Sequence, residues 1–262
     1  MAEPKPISQV DVGNLKGLFF DIDDTFSTHG KIRPEAYQAA WRLYEAGKIL
    51  VPLTGRPAGW CDHMARMWPV HAVVGENGAF YYLMKNGKMH KHYTVQDHHP
   101  AEYAERMARI EQEILACVPG ARVASDQPWR QFDLAIDHCE DVPPLSRDDI
   151  QRIVDIFRKH GAHVRVSSVH VNGWFGEYDK LTAVRLFVRR ELGMDLDACN
   201  ADFVFIGDSP NDEPLFSFFT KSVGVANVRD YASFIKIGPA FITRERHGMG
   251  FVELADHILT AR

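Results

Sequence analysis

The sequence predicts an α/β protein in which a parallel sheet wrapped by helices is interrupted by a second region of mixed helix and strand. Two observations support this prediction. Short apolar runs alternate with helical segments near both ends of the chain, which is the pattern of βαβ units. In the middle, a hairpin, helices and extended segments replace that alternation. At 262 residues, the chain is long enough for a large core and an inserted domain.

Each element of the predicted core has its own local signal. The apolar run "GLFF" indicates a buried strand, and the segment "PEAYQAAWRLYEAG" indicates a helix that starts at Pro34 and ends at Gly47. The next buried strand is "ILVPL", followed by a helix in "AGWCDHMARMW" and a strand in "AVVG". The alternation resumes much later, in "DKLTAVRLFVRREL", "FVFIG", "DEPLFSFF" and "SVGVA".

The middle region predicts an α+β module. It begins with a hairpin whose turn is the Asn86-Gly87 pair, and two helices and several extended segments follow. Glycine and asparagine cluster where this region joins the rest of the chain. We therefore predict a core formed by residues 1–83 and 173–262 and an inserted domain formed by residues 84–172.

The charge and the distribution of apolar residues argue against several classes of function. The net charge of -5 provides no basic stripe for nucleic acid, and no segment is apolar enough to span a bilayer or act as a signal peptide. We expect a cytoplasmic protein without nucleic-acid or membrane partners, and we leave its oligomeric state open. The four cysteines are scattered, which argues against a zinc knuckle or a disulfide scaffold. Four histidines cluster near the hairpin, where we favour a solvated hairpin over a metal site: His90, His92, His98 and His99.

Polar side chains follow four of the predicted core strands. In a parallel sheet, ligands bind outside the carboxyl ends of the strands, so these side chains are candidates for a common site. They are Asp21, Asp23 and Thr25; Thr54, Gly55 and Arg56; Glu76, Asn77 and Gly78; and Gly207, Asp208, Ser209, Asn211 and Asp212. Lys180 lies in the first turn of a helix that Asp179 can cap. Several carboxylates suit Mg²⁺, and a hydroxyl and an ammonium suit a phosphoryl group.

Four segments resemble, in order and spacing, the motifs of the haloacid dehalogenase (HAD) superfamily of phosphohydrolases: "DIDDT", "LTGR", "DK" at a helix start and "GDSPND". The resemblance covers both core segments, and the insertion resembles the C2-type cap of the Cof-type, or IIB, branch, which includes sugar-phosphate phosphatases. It implies a Rossmann-like parallel-sheet core with an inserted α+β cap domain. Many relatives have glycine where this chain has Asp24, which affects the shape of the loop because Asp reaches positive φ less easily.

The resemblance also implies roles for individual residues. Asp21 would be the nucleophile that forms an aspartyl-phosphate, and Asp23 the acid and then the base, with its backbone carbonyl on Mg²⁺. Asp208 would bind the metal, supported by Asp212 directly or through water. The predicted substrate contacts are Thr54, Gly55, Arg56, Asn77, Lys180 and Asn211, of which Thr54 and Lys180 would bind the phosphoryl group.

The sequence therefore predicts a Mg²⁺-dependent phosphatase acting on a small phosphorylated metabolite, such as a sugar or polyol phosphate. A phosphomutase with a similar cap is the alternative among enzymes. A non-catalytic sensor of a phosphorylated ligand is the alternative from another class, which the acid at Asp23 and the large insertion disfavour. A structural role is about as compatible with the pattern as a substrate contact at six positions: Arg56, Asn77, His170, Asn172, Trp174 and Tyr178.

Overall fold

The computed structural model describes residues 3–95 and 100–261, which form two sheets and seven α-helices. The strands are β1 (Lys5–Pro6), β2 (Gly17–Asp21), β3 (Ile49–Leu53), β4 (Val73–Gly75), β5 (Phe80–Lys85), β6 (Lys88–Tyr93), β7 (Arg122–Val123), β8 (Asp133–Asp137), β9 (His163–Val166), β10 (His170–Trp174), β11 (Phe203–Gly207), β12 (Ser222–Gly224) and β13 (Phe241–Ile242). The helices are α1 (Pro34–Glu45), α2 (Ala58–Met67), α3 (Pro100–Cys117), α4 (Arg147–Lys159), α5 (Lys180–Leu192), α6 (Glu213–Phe218) and α7 (His247–Thr260).

The larger sheet has nine strands in the order β1-β13-β12-β11-β2-β3-β4-β5-β6. Every pairing from β1 to β4 in this order is parallel. The pairings of β5 with β4 and with β6 are antiparallel. The predicted α/β fold class with a parallel sheet is therefore confirmed.

Both faces of this sheet are covered by helices. Successive strand residues point to opposite faces, so β2 supplies Leu18 and Phe20 to one face and Phe19 to the other. Leu18 and Phe20 pack with α1 and α7, whereas Phe19 packs with α5 and α6. The strand that carries the predicted nucleophile is therefore buried on both sides and rigidly held.

The predicted start of α5 is confirmed. Asp179 caps the helix because its Oδ1 accepts a hydrogen bond from Thr182 N (2.7 Å), and Gly193, at φ 66°, ends it in the left-handed conformation. Lys180 is thus the first helical residue, and the N-cap residue Asp179 beside it fixes its position.

The predicted hairpin also forms, with Asn86 and Gly87 as its two turn residues at positive φ. Its strands, β5 and β6, extend the nine-stranded sheet by antiparallel pairing. Here the structure differs from the predicted domain boundary, since β6 falls in the range assigned to the insertion but hydrogen-bonds to the core. His90 and His92 lie on β6, whereas His98 and His99 lie outside the described residues.

The smaller sheet has the order β7-β8-β10-β9 and is antiparallel. One face packs on α3 and α4 through side chains such as Ile136 and Val171. The opposite face carries polar residues at alternate positions, among them His170 and Asn172, which line a cavity between this sheet and the core. We refer to residues 100–174 as the cap. Along the described parts of the chain, no helix is both long and apolar enough to cross a membrane.

Candidate active site

The strand ends that carry the predicted motifs are neighbours in the sheet, in the order β11-β2-β3-β4. Asp21 is the last residue of β2, Thr54 follows β3 and Asp208 follows β11. Because these strands are parallel, their carboxyl ends meet at one edge of the sheet. Side chains from distant parts of the sequence are thereby brought together.

Three buried carboxylates converge at this edge around one ammonium. Lys180 Nζ donates to Asp21 Oδ1 (2.6 Å) and to Asp212 Oδ1 (2.9 Å). One oxygen from each of Asp21, Asp208 and Asp212 lies within 4.8 Å of the others. The Lys180 side chain is 4% exposed, so the group is shielded from water and its charges interact strongly.

The cluster combines three acidic groups with one basic group, and their pKa values are shifted. Burial raises the pKa of the Asp21 carboxyl well above its ordinary value, against the lowering effect of Lys180. Burial and the Asp21 carboxylate likewise raise the pKa of Asp208. Burial opposes the charge of Lys180, but Asp21 and Asp212 raise the pKa of its ammonium. The lysine stays charged, whereas burial disfavours the ionised forms of Asp21 and Asp208.

Hydrogen bonds fix the orientation of the two carboxylates that follow β11. Asp212 Oδ2 accepts from the backbone nitrogens of Asp208 (3.1 Å) and Ser209 (3.4 Å). Asp208 accepts from Thr25 Oγ1 (3.2 Å) and from Asn227 Nδ2 (3.3 Å). Asn227 was not predicted, although it lies just beyond β12 and the strand-end rule would have found it.

The loop after β3 is held by its own hydrogen bonds. Thr54 Oγ1 accepts from Arg56 N (3.0 Å), and Thr54 O accepts from Asn77 N (3.1 Å). Asn77 has a left-handed backbone (φ 56°), and its Nδ2 donates to Asp133 Oδ2 of the cap at 3.4 Å. A Cβ atom on Gly55 would lie 3.2 Å from Asn77 Oδ1, so a larger residue there would crowd this contact.

Arg56 joins the core to the cap. Its Nη2 donates to Asp23 Oδ1 of the core (2.8 Å) and to Glu140 Oε1 of the cap (2.7 Å). Glu140 Oε2 in turn lies 2.9 Å from His170 Nε2. We refer to Asp23, Arg56, Glu140 and His170 as the Arg56 bridge. The predicted acid and base, Asp23, is thus held by a guanidinium that the cap also binds.

Glu140 is a site residue that sequence reasoning missed. Burial alone would raise the pKa of its carboxyl, but hydrogen bonds from His170 and Arg56 lower it to about 2. Its loop is fixed because Asp137 Oδ1 accepts from the backbone nitrogens of Cys139 (2.9 Å) and Glu140 (2.8 Å). No local pattern marks Glu140, because its partner lies 84 residues away in another part of the fold.

Five of the six predicted substrate contacts line two narrow cavities between the core and the cap. Gly55, Arg56 and Asn211 line one cavity, together with Asp21, Asp23 and residues 167–170 of the cap. Asn77 and Lys180 line the other, together with Asn211. Thr54 lines neither of these two cavities. The roles assigned to these residues remain predictions.

The four weaker candidates between β10 and α5 have structural partners. His170 belongs to the Arg56 bridge, and Asn172 Nδ2 donates to Asp133 Oδ2 at 2.9 Å. The rings of Trp174 and Tyr178 stack with centroids 5.5 Å apart in a buried cluster of apolar side chains. These contacts account for His170 and Asn172, whereas Trp174 Nε1 and Tyr178 Oη are buried without a hydrogen-bond partner among the described residues.

Comparison with known protein families finds a resemblance in the first half of the chain. A family model described as haloacid dehalogenase-like hydrolase matches residues 18–128. Those residues, which are fewer than half of the chain, resemble the haloacid dehalogenase-like hydrolases. The match includes the motifs at Asp21 and Thr54 and ends before Lys180 and Asp208, which the fold brings to the same site. The predicted resemblance and the prediction of a hydrolytic enzyme are confirmed. No curated protein matches the chain.

Solved structures share the fold over nearly the whole chain. A HAD/COF-like hydrolase from Plasmodium vivax has a TM-score of 0.72 at 16% identity, covering 97% of this chain and 98% of that one. A HAD subclass IIB sugar phosphatase has a TM-score of 0.63 at 13% identity, covering 92% and 98%. The sucrose-phosphatase from Synechocystis, solved with sucrose and phosphate, has a TM-score of 0.63 at 17% identity, covering 93% and 98%. The chain therefore shares the fold of these three proteins.

Proposed function

We propose that this protein is a Mg²⁺-dependent phosphatase that hydrolyses a small phosphorylated metabolite, a sugar or polyol phosphate, through an aspartyl-phosphate on Asp21. The observation that carries the proposal is the buried cluster of Asp21, Asp208 and Asp212 around Lys180. A rigid, negatively charged site at the carboxyl ends of parallel strands suits chemistry on a phosphoryl group beside a cation.

The donor set of the cluster fits Mg²⁺. Its side-chain ligands would all be carboxyl oxygens, which Mg²⁺ prefers, and the three carboxyl groups surround a single ammonium. Asp21, Asp208 and Asp212 would hold the ion, together with the backbone carbonyl of Asp23. When bound, the cation offsets the carboxylate charges and polarises the phosphoryl group.

The protein's own residues would carry the chemical steps. The Asp21 carboxylate attacks phosphorus while the bond to the leaving oxygen breaks, and Asp23 gives a proton to that oxygen. Asp23 then takes a proton from water, which attacks the phosphorus and releases phosphate from Asp21. Lys180 and Thr54 would bind the other phosphoryl oxygens. Arg56 positions Asp23, since its guanidinium holds both of that side chain's oxygens.

The substrate class is supported by the cap and by the neighbours. Polar residues of the cap line the cavities beside Asp21 and Lys180 and would surround a hydrophilic leaving group and exclude bulk water. Each cavity has a volume of about 10 Å³, so the cap would have to move away from the core to admit a sugar. Two structural neighbours are named as a sugar phosphatase and a sucrose-phosphatase.

The test is phosphate release from a panel of sugar, polyol and nucleotide monophosphates, with Mg²⁺ and with a chelator. We expect metal-dependent release that Asp21→Asn abolishes, because an amide cannot form the phosphoenzyme. Asp62→Asn is the matched control, since Asp62 forms surface ion pairs on α2 and should retain activity.

Two other results would contradict the proposal. Isomerised sugar phosphate appearing without free phosphate would identify a phosphomutase. No turnover in either assay, with a phosphorylated ligand still bound, would indicate a sensor.

A further inference from the structure

A second group of metal-ligating side chains lies beside the carboxylate cluster and shares no member with it. One ligand atom from each of Asp24, His29 and His247 lies within 4.8 Å of the others. His247 Nδ1 is 3.5 Å from Asp24 Oδ1, and the two imidazole rings have centroids 5.1 Å apart. The first two residues belong to the loop after β2, and His247 is the first residue of α7.

The backbone holds these three residues in an uncommon conformation. Asp24, His29 and His247 have φ values of 57°, 50° and 51°, in the left-handed region that few non-glycine residues adopt. They account for half of the non-glycine residues with positive φ in the described chain. Three such residues therefore come together at one place because the surrounding structure fixes them.

Asn227 links this group to the carboxylate cluster. Its Nδ2 donates to Asp24 O (2.9 Å) and Asp208 Oδ2 (3.3 Å), and its Oδ1 accepts from His247 N (2.8 Å). The amide thus orients Asp24 and His247 while also contacting a predicted Mg²⁺ ligand. The two groups are adjacent, but each has its own set of donors.

The donor chemistry distinguishes the two groups. Two imidazoles and one carboxylate suit Zn²⁺ and other first-row divalent ions, whereas Mg²⁺ prefers oxygen ligands alone. The side chains of His247 and Asp24 are 15% and 26% exposed, so an ion could enter from solvent and keep a water ligand. We propose that Asp24, His29 and His247 form a binding site for Zn²⁺ or a similar first-row divalent ion, separate from the Mg²⁺ site.

An ion in this site would join the loop after β2 to the start of α7. At present that junction depends on hydrogen bonds such as Gly248 N to Ser27 O (3.2 Å). A metal that binds only the folded chain stabilises it by mass action, so Zn²⁺ should raise the melting temperature. This consequence does not depend on phosphatase activity.

The test uses the full-length chain saturated with Mg²⁺ and titrated with Co²⁺, whose visible absorption reports nitrogen ligands, and then with Zn²⁺ as competitor. We expect one Co²⁺ per chain, displaced by Zn²⁺. His29→Gly removes an imidazole while permitting the left-handed backbone, and His247→Ala removes the other. Each should weaken binding at least about tenfold, whereas His63→Ala, on the exposed face of α2, should bind like the wild type.

Three results would overturn the proposal. The first is no Co²⁺ binding in the presence of Mg²⁺. The second is binding that Mg²⁺ displaces, which would place the ion at the carboxylate cluster. The third is unchanged binding in both His29→Gly and His247→Ala, with each variant shown to be folded by its thermal transition; Asp24 and His247 would then form an ion pair only.

Discussion

Replacing Glu140 by Gln tests whether the Arg56 bridge holds the cap on the core. The pKa of Glu140 falls from 4.5 to about 2 in the folded chain. At about 1.4 kcal/mol per pKa unit, the ionised form stabilises folding by at most about 3.5 kcal/mol. Because the side chain is 30% exposed and Gln can still accept one hydrogen bond, we expect a loss of about 1–2 kcal/mol in the free energy of unfolding.

The pH dependence gives this prediction a specific signature. The folded-state pKa of Glu140 lies below the unfolded-state value, so its contribution is complete above pH 4.5 and is lost as the pH falls towards 2. The Gln side chain does not titrate. The difference in unfolding free energy between wild type and Glu140→Gln should therefore shrink by more than half between pH 6 and pH 3.

Urea denaturation at several pH values, followed by tryptophan fluorescence, measures this difference. The matched control is Glu177→Gln, because the Glu177 side chain is 92% exposed and its pairing with His163 should contribute within about 0.5 kcal/mol. A Glu140→Gln deficit that stays constant from pH 6 to pH 3 would refute the reasoning, since it would come from packing and not from the charge.

Three further predictions concern the core. Lys180→Met should lower the free energy of unfolding by about 3 kcal/mol in the metal-free protein, because it leaves buried carboxylates without a counter-charge. Added Mg²⁺ should restore part of this loss, and equal stability of the variant with and without Mg²⁺ would argue against the metal site. Thr25→Val should cost about 1–2 kcal/mol by removing a donor to Asp208, while Thr25→Ser should cost less; equal costs in denaturation would assign the effect to packing. Gly78→Ala should cost about 1–3 kcal/mol, because a Cβ would lie 2.0 Å from Asp179 O at φ 106°; an unchanged melting temperature would show that the α5 start can shift freely.

The core and its strand-end residues could be predicted because their signals are local. An apolar run followed by Asp21 or Asp208 indicates a strand and its carboxyl end, and a parallel sheet then brings those ends together whatever their separation in sequence. The start of α5 could be predicted from Asp179 alone, and the hairpin turn could be predicted from Asn86 and Gly87.

The rest depends on contacts between distant segments. The pairing of β5 with β4 assigns the hairpin to the core, and no periodicity within the hairpin indicates which sheet it joins. Glu140 and Arg56 meet only because the polar face of the cap lies over the loop after β3. An isolated glutamate has no pattern that distinguishes it from a solvated one.

Asp24 shows how a departure from a motif can be interpreted once the backbone is known. Its φ of 57° is the conformation that glycine reaches freely, so the side chain is retained here at a cost of about 1–2 kcal/mol. Hydrogen bonds from Asp24 N to Ser27 Oγ (3.1 Å) and from Asn227 Nδ2 to Asp24 O (2.9 Å) offset that cost, but a glycine would make both of them. The backbone therefore does not explain why Asp occupies this position. The carboxylate adds a contact with His247, and both residues belong to the second group of metal-ligating side chains.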